Sequence, residues 1–175
     1  GGTTDIAIFF DNIIRHTAVI PFGGNVVTED IRQGCGIMRE QAEQLKTKFG
    51  SALASENKEN EVVCIPGLRG RDPKEISLRT LAEIIQSRME EILEHVYFEI
   101  KNSGMEKQLI AGIVLTGGGA QLKHLKHLVE LMTGMNTRIG YPNEHIAKSA
   151  VEDVTSPLHA TDVGLVMKGF DYLER

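Results

Sequence analysis

Two runs of apolar and β-branched residues open the chain, Ile6 to Phe10 and Ile13 to Ile20, and the polar pair Asp11-Asn12 between them predicts an antiparallel hairpin with a tight turn. After Pro21-Phe22-Gly23-Gly24, Thr28 followed by Glu29 and Asp30 predicts a helix capped at Thr28 and broken near Gly34 and Gly36. Arg39 to Phe49 is rich in helix formers and predicts a second helix, closed by Gly50. Ser55 to Asn60 reads as a loop, Glu61 to Ile65 as a strand, and Pro66 to Pro73 as an exposed connection. Leu78, Leu81, Ile85, Met89, Ile92, Leu93, Val96 and Ile100 recur at three- and four-residue steps and mark the core face of a long helix ending at Ser103-Gly104. Ile110 to Thr116 then predicts a buried strand, Gly117-Gly118-Gly119 a turn, and Ala120 to Thr133 a helix with Leu122, Leu125, Val129 and Met132 inward. Asn136 to Tyr141 reads as a short strand and Leu158 to Leu173 as a last helix carrying Gly164 in its interior.

Strands before, between and after helices, with no repeat and no long linker, predict an α/β body formed by residues 1–25 and 111–175. A smaller α+β subdomain, 26–110, is expected to be inserted in it. At 41% hydrophobic and 25% charged the composition is that of a soluble globular chain, and no apolar run is long enough to span a bilayer. A net charge of -5 without a basic block argues against nucleic acid as the main partner. Cys35 and Cys64 lack metal or disulfide spacing, fit a reducing compartment and read as packing residues. The chain starts in mid-turn at Gly1-Gly2-Thr3-Thr4-Asp5, the beginning expected of an excised piece.

Candidate chemistry concentrates at two glycine turns. In Ile113-Val114-Leu115-Thr116-Gly117-Gly118-Gly119-Ala120-Gln121, a strand, three glycines and a helix start follow one another. That order lets backbone approach a ligand closely and turns free N–H groups toward it, although tight strand-to-helix packing would use the same glycines. It is neither a Rossmann fingerprint nor a Walker A loop. Gly1-Gly2-Thr3 before a hairpin matches the second half of Asp-x-Gly-Gly-Gly-Thr, in which amides and a hydroxyl cradle phosphates. Glu43 and Lys46 are three apart on one helix, the spacing of an ordinary surface pair. Arg79 and Arg88 leave the apolar stripe of the long helix as forked donors or as solvated residues. His124 and His127 beside Lys123 and Lys126 form a basic face, without a third metal ligand at fitting spacing. Asp5 and Asp162 are surface carboxylates or neighbours of a magnesium ion.

The two glycine turns, in this order and at this separation, resemble those of the actin-like ATPases. Within them the chain resembles the FtsA family of bacterial cell-division proteins. The likeness rests on Ser77 to Arg88, on Ala111 to Leu122 and on Ala160-Thr161-Asp162-Val163-Gly164-Leu165. It implies an actin-like, ribonuclease H-like lobe with an inserted subdomain, part of a two-lobed protein holding ATP and Mg2+ between its lobes. Gly1, Gly2 and Thr3 then fall in the second phosphate motif, and Gly117, Gly118, Gly119 and Gln121 in the adenosine motif. Glu43 would lie near the ribose and Lys46 over the base, with Met38, Gln41 and Gln44 departing from the usual pattern of that helix. Gly164 would lie where the last helix crosses its first-lobe counterpart. The family tethers the polymerising protein FtsZ to the inner face of the cytoplasmic membrane, through a C-terminal amphipathic helix that would lie beyond Arg175, and self-associates into filaments. The inserted subdomain is expected to dock the FtsZ C-terminal tail, with Arg79 and Arg88 as contacts. Since half of the phosphate cradle lies in the other lobe, this chain by itself is expected to hydrolyse no ATP. The alternative is an actin-fold enzyme, a small-molecule kinase or chaperone-type ATPase.

Overall fold

A computed structural model describes residues 1–67, 70–143, 146 and 152–173. β1 (Thr4–Phe10) and β2 (Ile13–Ile20) pair antiparallel, with Thr4 opposite Ile20. Asp11 and Asn12 both take positive φ, 53° and 59°, the left-handed pair that a two-residue hairpin turn requires and that Asp and Asn tolerate best. A register shift beside Ile8 and Phe9 leaves Arg15 as an extra residue of β2, bulging the hairpin near its tip.

The first helix, α1 (Gly24–Cys35), begins four residues before the expected cap. Thr28 is not a cap. It is buried inside the helix, with its hydroxyl oxygen 3.1 Å from the Gly24 carbonyl oxygen. Nor does Gly34 break α1: a Cβ there would lie 2.8 Å from Ile84 Cδ1, so glycine serves a close helix contact, and the helix ends at left-handed Gly36. Following it, α2 (Arg39–Phe49) has the expected bounds, but Gly50 ends it for a different reason. Its backbone is extended, and a Cβ would run into the Lys46 carbonyl and stand 3.0 Å from Leu122 Cδ1. The stretch expected as loop holds a 3-10 turn, Ala54–Glu56.

β3 (Val62–Ile65) pairs antiparallel with β4 (Lys74–Ser77), a strand the periodicity did not announce because only Ile76 of its four residues is buried. Cys64, on β3, is exposed, whereas Cys35 is buried; only the latter is a packing residue. From β4 the chain passes directly into α3 (Leu78–Asn102), whose apolar stripe is buried or half-buried along its whole length. α3 serves two clusters. Its first half, through Leu81 and Ile85, packs with Val27 and Ile31 of α1, Leu45 of α2, and Ile65 and Ile76 of the β3–β4 ribbon. Its second half, through Leu93, packs with Ala52, Leu53, Leu125, Leu128 and Val129, and Met89 and Leu122 touch both clusters.

The expected buried strand is shorter and half open. β5 (Ile113–Leu115) pairs in parallel with β6 (Thr137–Ile139), Val114 is exposed, and Ile110 lies outside the strand at 89% exposure. The single helix expected after the glycines is two elements. A 3-10 turn, Gly118–Gln121, is followed by a break at Leu122 to His124, and α4 (Leu125–Thr133) starts only after it. His124 sits at φ 61° at that break, where Lys123 bridges Ser51. A further 3-10 turn, Pro157–His159, leads into α5 (Ala160–Leu173), which buries none of its residues.

Candidate functional site

The glycine pair Gly23-Gly24 lets the N-terminal residues lie across the start of α1. The Asn25 amide donates to the Gly1 carbonyl at 2.9 Å, and Thr4 Oγ1 donates to the Phe22 carbonyl at 3.0 Å. A Cβ on Gly23 would come within 2.8 Å of the Thr3 carbonyl oxygen and 3.0 Å of that of Gly1, so only glycine fits beneath the turn. Gly1, Gly2 and Thr3 thus sit exposed over the N-terminal end of a twelve-residue helix, where the helix dipole favours negative charge. Thr3 Oγ1 donates to Asp5 Oδ2 at 3.0 Å, which occupies one carboxylate oxygen of Asp5.

From the other side α2 reaches the same helix end. Lys46 Nζ donates to the Gly24 carbonyl at 3.0 Å, to Thr28 Oγ1 at 2.8 Å and to Glu43 Oε2 at 2.7 Å. Thr28 Oγ1 also bonds Glu43 Oε2. Burial works against the charged form of Glu43, yet the hydrogen bonds from Lys46 and Thr28 and the charges of Lys46 and Arg39 hold its pKa below the ordinary value. The pair expected from its spacing is therefore the exposed edge of a network that ends on a buried threonine. Thr28 and Asn25 were not singled out from the sequence for this site; the cue was the Gly23-Gly24-Asn25 run at the head of α1.

At the second turn, each glycine has its own physical setting. Gly117 has φ 85°, which favours glycine outright. A Cβ on Gly118 would meet Leu158 Cδ1 at 2.9 Å. Gly119 has neither constraint, and the same holds for Gly2 in the first turn: among the described residues nothing lies within 4 Å of a Cβ there and φ is not left-handed. The Gly117 amide donates to the Pro157 carbonyl at 2.9 Å, and Gln121 Nε2 donates to Ser156 Oγ at 2.7 Å. A cavity of about 310 Å³ opens beside the turn, lined by Gln121, Leu122, His124, Lys126, Ile139 and Tyr141 among others.

The second turn is joined to α2 through the segment that follows each of them. The Ala52 amide donates to the Lys123 carbonyl at 2.8 Å, and buried Ser51 Oγ lies 2.9 Å from His124 Nδ1. His124 is thus half-buried and engaged, a correction to the solvated basic face; His127, stacked on it with centroids 6.3 Å apart, remains exposed. Arg79 and Arg88 lie apart from both turns, on α3. Arg79 pairs with Glu59 at 2.7 Å and Glu83 at 3.6 Å, while Arg88 holds Asp30 of α1 through Nε and Nη2 at 2.5 and 3.0 Å and Glu91 at 2.5 Å. The hydrogen bond to Asp30 keeps the Arg88 pKa above its ordinary value.

Among the described residues no helix is long and apolar enough to cross a membrane. The sequence profile of the family described as "Cell division protein FtsA" matches residues 1–164. Cell division protein FtsA of Pseudomonas aeruginosa is 40% identical over 169 residues, covering 97% of this chain and 40% of the relative. The Escherichia coli K12 protein of the same name is 38% identical over 176 residues, covering 97% and 41%. The chain therefore spans about two fifths of the length of these curated relatives. Among solved structures, MreB5 of Spiroplasma citri bound to AMPPNP superimposes with TM-score 0.68 at 21% identity, over 98% of this chain and 53% of that one. A MamK double helical filament gives TM-score 0.64 at 16% identity, over 95% and 51%. The fold is actin-like, as the glycine turns and their separation lead one to expect.

Proposed function

Because the chain belongs to the FtsA family of cell division proteins, we propose that it forms the lobe of a two-lobed, ATP-binding protein that carries the adenosine side and part of the phosphate side of the cleft. The observation that carries this reading is the pair Gly2 and Gly119. Glycine loses more backbone freedom on ordering than any other residue, and among the described residues neither position has a left-handed φ or a close neighbour as a reason for it. A ligand that must approach the backbone closely is such a reason. Gly1 to Thr3 over the α1 N-terminus receive the phosphates, and Gly117 to Gln121 with Glu43 and Lys46 receive the adenosine. Mg2+ accompanies the triphosphate and offsets its charge, and the fit of this chain's residues rests on the amides and the helix dipole.

In the same reading residues 26–110 form the inserted subdomain that docks the FtsZ C-terminal tail, and residues 1–25 with 111–175 form the body. Arg79 offers its guanidinium to a tail carboxylate by exchanging the largely exposed Glu59. Arg88, committed to Asp30, contributes by fixing α1 against α3 as much as by direct contact. The whole protein lies at the inner face of the cytoplasmic membrane and self-associates into filaments.

Titration with a peptide of the FtsZ tail tests the docking half. A Kd in the micromolar range, roughly 8 kcal/mol, is expected, and Arg79→Glu and Arg88→Glu each weaken it. No binding by this chain or by the whole protein removes the docking assignment.

A further inference from the structure

Thr28 stands inside α1, where a β-branched residue loses rotamer freedom and gains nothing for the helix. Its side chain is sealed from solvent, yet its hydroxyl lies at the centre of the Glu43–Lys46 pair. An ammonium has three donors, and Lys46 gives them to the Gly24 carbonyl, Thr28 Oγ1 and Glu43 Oε2. None is left for a ligand. Glu43 is placed the other way: Oε2 is engaged by both Thr28 and Lys46, while Oε1 has no partner among the described residues and the side chain is 48% exposed.

We propose that Thr28 is a positioning residue of the nucleotide site: its buried hydroxyl and the saturated Lys46 ammonium together clamp Oε2 of Glu43, so that Oε1 is the acceptor offered to a ribose hydroxyl. The inference rests on the nucleotide reading above and changes one role within it, making Lys46 an internal strut. Isolated, Glu43 would swing freely on an exposed helix face and lose the orientation that a single hydrogen bond to a sugar needs. With Oε2 held at two points, the carboxylate plane is set before any ligand arrives.

Two readouts separate the inference from the reading beneath it. Carboxyl-detected NMR titration of Glu43, in this chain without nucleotide, should show a higher midpoint in Thr28→Val, which keeps the shape and removes the donor, and a restored one in Thr28→Ser. In the whole protein, Thr28→Val should weaken ATP binding about tenfold. Thr28→Ser should recover that affinity, and the advantage of ATP over its 2′- and 3′-deoxyribose analogues should shrink in the valine variant alone. An unmoved Glu43 midpoint in Thr28→Val overturns the clamp. Full ATP affinity in Thr28→Val overturns the positioning role. Failure of the unaltered whole protein to bind ATP overturns the proposed function and the ribose contact with it, while the midpoint still decides the clamp.

Discussion

Arg88 and Asp30 are 58 residues apart and meet through two hydrogen bonds, with about a quarter of each side chain exposed. A half-buried, forked pair of this kind is worth more than a surface ion pair, since removing one partner leaves the other charge poorly solvated. Asp30→Ala should therefore lower stability by about 1–3 kcal/mol in chemical denaturation, and Arg88→Ala should add little to it in the double variant. A sum of the two single losses would contradict the pairing. Glu29 behaves differently, being a carboxylate of the α1 surface bonded by Arg32 and Gln33, which draw its pKa down to about 2. Its folded value lies below its ordinary one of 4.5, so its stabilising share is complete above pH 4.5 and is lost as the pH falls toward 2. Glu29→Gln should flatten the fall of Tm in that window alone. At this scale the sequence made Glu43 and Lys46 visible, because their spacing lies within one helix. The hydroxyl that organises them lies 15 residues from Glu43 on another helix, and Thr28 beside two acids resembles a cap when its partner is unseen. Ser51 and His124 were hidden in the same way, 73 residues apart.

Among the elements, the hairpin and α3 were legible because each rests on local chemistry: a left-handed Asp-Asn turn between β-branched runs, and an apolar stripe seven turns long. β4 was not, since a four-residue strand with one buried side chain carries too little period to read. The split after Gln121 was missed for a related reason. Leu122 and Leu125 keep a helical step, but the backbone between them is drawn out by the bridge from Lys123 to Ser51. The Gly23-Gly24 pair at the head of α1 gives the clearest test at this scale. Gly23→Ala places a methyl group against the backbone carbonyls of Thr3 and Gly1, and should cost about 1–3 kcal/mol by thermal unfolding. Gly24→Ala meets only the tip of Lys46 at 3.5 Å and should be neutral or stabilising by up to about 1 kcal/mol, as alanine favours helix. Equal losses in both variants would mean that the N-terminal turn is not seated on α1.

Seen whole, the chain has two apolar clusters strung along α3, with the segments after α2 and after the second glycine turn tied together where the clusters meet. That tie sets the distance between α2 and the Gly117 turn, far apart in sequence, and so between the two halves of the proposed site. The actin-like fold was legible only through the resemblance of two glycine turns to those of the actin-like ATPases. The exposed apolar residues of α5, Leu165 and Phe170 among them, were legible as a helix but not as an open face. Among the described residues nothing lies within 4 Å of a Cβ at Gly164 within that helix. Amide chemical-shift mapping of the labelled whole protein with MgATP puts both turns to the test at once. Shifts should concentrate at Gly1 to Thr3, Asn25, Glu43 and Gly117 to Gln121, whereas ATP binding that leaves these amides unmoved would contradict the assignment of the cleft.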